Sequence, residues 1–168
     1  MGQIENVFFE NPTLDFHIRG IARMLNIPKT TVSYQVKRLL KEGLIVKNKK
    51  SVFPSFRANE SSEIYRFCKT QEFLKELVCS GVLGHIEKEV HPRCIILFGS
   101  FAKGEYDSKS DIDLFVQSEE ASINLGKFEK RLRHAINILF EADAHKLSAE
   151  LFNNIANGVK LRGFLKVK

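Results

Sequence analysis

Apolar residues recur along the first third of the chain at helical spacing. In "IENVFFENP" Ile4, Val7 and Phe8 make one face of a first helix that closes before Pro12. In "LDFHIRGIARMLN" Ile18, Ile21, Ala22 and Leu25 fall at i, i+3, i+4 and i+7, which predicts a short amphipathic helix with Asp15 as its N-cap. The pattern restarts after Pro28. In "IPKTTVSYQVKRLLKEG" Val32, Val36, Leu39 and Leu40 share a face, and Gly43 stops the helix. "LIVKNKKSVFPSFR" then reads as strand, basic turn, strand.

From Asn59 the helical period returns through Ile64, Phe67, Cys68 and Gln71, then Phe73, Leu74, Leu77 and Val78. This reads as two helices that open near Ser61, with a break at Gly81 or Gly84 before a further segment, Leu83 to Val90. The Phe and Leu stripe is expected to be core, in a connector that joins the two halves and pairs with a second copy. Beyond it the period shortens. "CIILFGS" is an apolar strand ending in Gly-Ser, and "DIDLFV" alternates carboxylate with apolar residues. "LGKFEKRLRHA" is a basic helix before the strand "AINILFEAD", and "ELFNNIANGVKLRGFLKVK" reads as helix, Asn157-Gly158 turn and closing strand. The fold class expected is α+β.

The chain has 168 residues, room for one ordinary domain or two small ones, and its 43% hydrophobic and 27% charged residues match a soluble globular protein. No apolar stretch approaches the roughly 20 residues that span a bilayer. The start "MGQIENVFFENPT" lacks the basic and apolar regions of a signal peptide, and Asn6 breaks a myristoylation pattern. The expectation is a cytoplasmic protein without a membrane partner. Cys68, Cys79 and Cys94 sit beside apolar residues as reduced, buried thiols, and the set Cys79, His85, His91 and Cys94 fits no common zinc spacing.

Charge adds a partner to this picture. The net charge is +6 and the pI about 9.3, which favours polyanions. Lys29, Lys37, Arg38, Lys41, Lys47, Lys49, Lys50 and Arg57 form a basic stripe against the single acid Glu42. Three helices followed by a basic hairpin, with "TTVSYQVKRLLKEGLI" carrying most of the likeness, resemble a winged helix-turn-helix domain over residues 1–58. On that resemblance Lys29 to Arg38 is the recognition helix. Lys29, Thr30, Thr31, Ser33, Tyr34, Gln35, Lys37 and Arg38 lie off its apolar face and meet double-stranded DNA, while Lys47, Lys49 and Lys50 in the wing meet phosphates.

The chemistry concentrates in "CIILFGSFAKGEYDSKSDIDLFV". A buried strand that ends in Gly99-Ser100 brings backbone N–H groups and a hydroxyl toward an anion, and phosphate is the natural guest. The stretch is not a Walker A loop, because Glu105 and Tyr106 stand where Lys and Ser or Thr are required. In an extended strand Asp111 and Asp113 face the same side, and two adjacent carboxylates ask for a cation between them, with Mg2+ the expected one.

Apolar-Gly-Ser, about ten residues, then Asp-apolar-Asp-apolar resembles the nucleotidyltransferase superfamily that includes DNA polymerase beta, in its minimal form, from residue 92 to the C-terminus. The organisation expected is therefore a winged helix-turn-helix at 1–58, a helical connector at 59–91, and at 92–168 a nucleotidyltransferase fold with a mixed β-sheet flanked by helices. The resemblance implies that Gly99 and Ser100 hold a nucleoside triphosphate, that Lys103 assists, and that Asp111 and Asp113 hold two Mg2+ ions. It also implies a third carboxylate on a later strand. Alternation puts Asn137, Leu139 and Glu141 on one face there, so Asn137 stands at the expected place and Glu141 lies roughly 13 Å along. Asp143 and His145 are the fallback candidates. Minimal transferases of this kind often accompany a partner protein, as antitoxins accompany toxins, so the resemblance implies a protein acceptor or a toxin-like partner.

Two functions follow. One is transfer of a nucleoside monophosphate to a hydroxyl by a DNA-binding protein expected to form a homodimer. The other is a catalytically weak or inactive transcriptional regulator that binds DNA and senses nucleotide.

Overall fold

The computed structural model describes residues 2–48 and 53–167, and the chain divides into two compact units, residues 1–69 and 70–168. Three helices open the first unit: α1 (Gln3–Glu10), α2 (Ile18–Leu25) and α3 (Lys29–Lys41). An antiparallel hairpin follows, β1 (Ile45–Asn48) against β2 (Ser55–Ala58). The predicted apolar faces meet in one core that includes Ile4, Phe8, Ile21, Val32, Val36, Leu39, Ile45 and Phe56. Phe8 packs edge-on to Phe16 at 5.4 Å.

Two turns give this unit its shape. Between α2 and α3, Asn26 adopts a left-handed backbone with φ 53°, which a short polar side chain tolerates. The amides of Asn26 and Ile27 bond back to the carbonyls of Arg23 and Ala22. At the end of α3 Gly43 takes φ +72°, and the amides of Gly43 and Leu44 close onto Leu40 and Leu39, a Schellman stop. Asp15 does not cap α2, contrary to expectation. The residue before that helix is His17, because residue 16 pairs as extended chain with Phe56. Asp15 instead accepts from the Asn48 amide at 2.9 Å.

Residues 63–80 form one continuous helix, α4 (Glu63–Ser80), instead of two, and Gly81 at φ +84° separates it from α5 (Val82–Val90). Tyr65 near its start is buried in the first unit and donates to the Phe8 carbonyl at 3.0 Å. Phe73 and Leu77 near its end are buried in the second. The expected core stripe is only half right: Ile64, Phe67 and Val78 are exposed. Cys94 is buried, Cys68 partly so, and Cys79 is exposed.

A mixed four-stranded sheet of order β5-β4-β3-β6 forms the second unit. Its strands are β3 (Cys94–Phe98), β4 (Ile112–Val116), β5 (Ile136–Phe140) and β6 (Val159–Gly163). β3 runs antiparallel to β4 and β6, and β4 runs parallel to β5. Helices α6 (Gly99–Lys103), α7 (Gly126–Leu132) and α8 (Ala149–Ala156) join α5 and the end of α4 in this unit. Ile95, Leu97, Ile112, Leu114, Val116 and Ile136 belong to the larger core, with Phe101 and Phe128. Ile96 and Phe115, on the opposite face of the sheet, pack with Ile155 of α8. Strand alternation therefore puts Asp113 and Asn137 on the same face as Phe115 and Leu139. Among the described residues no helix is long and apolar enough to cross a membrane.

Candidate functional site

β3 runs straight into α6 without a loop. Phe98 is extended, and Gly99 starts the helix at φ +71°. Glycine is favoured here for two reasons. The left-handed backbone penalises any side chain, and a Cβ at position 99 would overlap the Asp113 carboxylate. Gly99 and Asp113 are thus in close approach, and Phe98 pairs with Asp113 across the β3–β4 ladder. Ser100 is half-buried beside them and its carbonyl accepts from the Glu105 amide at 2.9 Å, while Lys103 is exposed at the end of α6.

The parallel pairing of β4 with β5 sets Asp113 directly opposite Asn137. The Asn137 Nδ2 donates to Asp111 Oδ2 and to Asp113 Oδ1, each at 3.4 Å. One amide thus bridges two carboxylates whose mutual repulsion calls for positive charge. Burial pushes the Asp113 carboxyl above its ordinary value; the Asn137 hydrogen bond opposes that rise and the Asp111 charge adds to it. The donor set is hard oxygen, suited to Mg2+, and an amide rotated by 180° presents Oδ1 in place of Nδ2. Two carboxylates and an amide fit a divalent cation; a third carboxylate does not stand among them. Among the described residues no group of three or more His, Cys, Asp or Glu is placed to hold a metal. Of the fallback candidates, Asp143 accepts from the His145 backbone amide at 3.0 Å in a local turn.

Sequence reasoning missed the brace of the loop that carries Asp111. Asp107 Oδ1 accepts from the Lys109 amide at 2.9 Å and from the Ser110 hydroxyl at 3.2 Å, and Ser110 Oγ accepts from the Asp107 amide at 2.9 Å. These bonds, the Lys109 amide foremost, hold the Asp107 carboxyl below its ordinary value. The buried His134 bonds through Nδ1 to the Ser110 carbonyl at 2.7 Å and packs edge-on to Phe101 at 4.9 Å. It thereby ties the loop to the Gly-Ser helix. The spacing Asp-x-x-Ser was a legible signal for the first of these features. Nothing local marks His134.

The other candidate face lies on α3. Val32, Val36 and Leu39 are buried, while Lys29, Thr30, Thr31, Tyr34 and Lys37 are exposed, Tyr34 at 69%. Ser33 and Gln35 are half-buried, and Gln35 Oε1 is buried without a hydrogen-bond partner among the described residues. Arg38 is ion-paired while its side chain stays 41% exposed: its guanidinium bonds to the buried Glu5 and approaches Glu42 at 3.6 Å. Glu5 was missed because an acid in an amphipathic helix reads as solvated. Its other oxygen accepts from the Gly2 amide at 2.8 Å. Lys47 is exposed on β1, and Lys49 and Lys50 lie outside the described residues. Residues 1–69 carry 12 basic against 6 acidic side chains, whereas residues 70–168 carry 14 of each, so the whole excess of positive charge belongs to the first unit.

A strand running into a Gly-Ser helix, an Asp-x-Asp strand antiparallel to it and a parallel strand beyond are the arrangement expected of a nucleotidyltransferase domain, and the three helices and hairpin before it that of a winged helix-turn-helix. The comparisons agree. Residues 83–161 match the family described as polymerase beta, nucleotidyltransferase, and residues 17–46 match the one described as winged helix-turn-helix DNA-binding. No curated protein matches the chain. The chain joins an N-terminal winged helix-turn-helix domain for DNA binding to a C-terminal nucleotidyltransferase domain.

Proposed function

We propose that this is a cytoplasmic DNA-binding protein whose second unit binds a nucleoside triphosphate with Mg2+ and transfers its nucleoside monophosphate to a hydroxyl acceptor. The observation that carries the reading is the convergence of Gly99, Asp111, Asp113 and Asn137 through the register of three strands. Gly99 and Ser100 would receive the triphosphate, where the first-turn amides of α6 lack intrahelical partners, and Lys103 would add charge at its edge. Asp111 and Asp113 would hold the metal, with Asn137 Oδ1 as a neutral third donor. When bound, Mg2+ stabilises the attacking and leaving oxygens of an in-line displacement. Asp107, Ser110 and His134 fix the loop so that Asp111 stays beside Asp113. In the first unit Lys29, Thr30, Thr31, Tyr34 and Lys37 present a polar and basic face to a duplex. Lys47 extends it, and exposed Ile64 and Phe67 offer a surface for a second copy.

A second reading, a regulator that senses nucleotide with little turnover, is favoured by Asn137 itself. An amide ligates but takes no proton from an attacking hydroxyl. Calorimetric titration of each nucleoside triphosphate with Mg2+, followed by pyrophosphate release, tests both on wild type and on Asn137→Asp. Binding with release in the wild type supports transfer. Binding in both proteins with release only after the substitution assigns the sensing role. If neither protein binds any triphosphate, the nucleotide site is refuted.

A further inference from the structure

A feature of the first unit lies apart from the exposed face of α3. A cavity of about 840 Å³ opens between α2 and the start of β2, within the size range of small-molecule sites. It is lined by Ile18, Met24 and Phe53 together with His17, Arg19 and Arg23. Met24 is 61% exposed and Phe53 71%, so two large apolar side chains meet water at one place. Arg19 and Arg23 stand at i, i+4 on α2, where like charges repel, and among the described residues neither pairs with a carboxylate. No acid occurs among the described residues of the lining. His17 is already committed through Nδ1 to the Pro54 carbonyl at 2.9 Å, which joins the two walls.

Apolar walls beside two guanidinium groups that pair with no carboxylate among the described residues are complementary to one kind of guest. We propose that this cavity binds an anionic amphiphile, in the simplest case a fatty carboxylate, with its head on Arg19 and Arg23 and its body on Ile18, Met24 and Phe53. Guanidinium meets carboxylate through paired, charge-assisted hydrogen bonds, and burying the apolar body removes the exposed Met and Phe surface from water. A DNA phosphate would satisfy the arginines but leave that surface uncovered.

The chain contains only two methionines, Met1 and Met24, so a methyl-labelled full-length protein reports directly on the cavity. Dodecanoate, titrated below its micelle concentration, is expected to shift the Met24 methyl signal saturably. Arg19→Gln with Arg23→Gln should weaken that affinity at least about tenfold, the scale of one lost charged contact, with an unchanged melting curve. Phe53→Ala should weaken it as well. The proposal is overturned if dodecanoate gives no saturable shift, if dodecyltrimethylammonium binds equally well, or if the arginine variant binds unchanged. It is overturned too if inorganic phosphate alone reproduces the shift, or if a DNA duplex saturates it and dodecanoate cannot displace the duplex.

Discussion

Gly99→Ala tests the geometry of the nucleotide site at its tightest point. The residue sits at φ +71°, where an L side chain costs about 1–2 kcal/mol. For a unit of this size that corresponds to a fall in melting temperature of about 4–8 °C per kcal/mol. The new methyl also overlaps the Asp113 carboxylate, which is the far end of a rotatable side chain. The carboxylate can therefore swing away at small cost in stability, but in doing so it leaves Asp111 and Asn137. The variant should fold, melt somewhat lower, and lose Mg2+-dependent nucleotide affinity at least about tenfold, roughly 1.4 kcal/mol. Calorimetric titration beside a thermal melt reads both quantities, and Asp113→Ala gives the reference for a missing carboxylate. Full retention of affinity would refute the claim that Gly99 positions Asp113. An undiminished melting temperature would refute the backbone argument.

Other consequences are equally direct. Lys37→Ala should weaken duplex binding and lower its salt slope by about one without changing stability, as fluorescence anisotropy across a salt series would show. Its neighbour should behave oppositely: Arg38→Ala strands the buried Glu5 and should cost about 3 kcal/mol in urea denaturation, toward the low end for a broken pair because the arginine is 41% exposed. Asp113 is an acid whose carboxyl is raised on folding, so its favourable contribution exists below the ordinary value of 3.8 and is lost as pH rises through the folded value. Asp113→Asn should accordingly raise the melting temperature at neutral pH and leave it unchanged well below 3.8; a gain that did not depend on pH would contradict the burial argument.

Much of the architecture was legible because it is encoded by local periodicity. The i, i+3, i+4, i+7 apolar positions of α2 and the matching face of α3 forecast these two of the first unit's helices, and the Pro28 and Gly43 signals marked where α3 begins and ends. Alternation in "DIDLFV" placed Asp111 and Asp113 on one side and Ile112 and Leu114 in the core. Where the reading failed, a distant partner had intervened. Pairing of residue 16 with Phe56 took the chain before α2 into extended form and freed Asp15 from the cap. On α4, Tyr65 was drawn into the core while Ile64 and Phe67 stayed outside, a rotation about the helix axis that spacing alone does not specify.

By itself, then, the sequence determined which residue types stand at the site and at what spacing, because a strand turns alternate residues to one side. It also determined that positive charge gathers in the first 69 residues. Only the tertiary structure decided that Asn137 stands against Asp113, since the register of β4 on β5 depends on how Ile112, Leu114 and Ile136 pack into a shared core. It likewise decided that Arg38 serves the buried Glu5 and that His134 holds the loop before Asp111. Such contacts join residues more than 20 positions apart, and burial, not local spacing, chooses those partners.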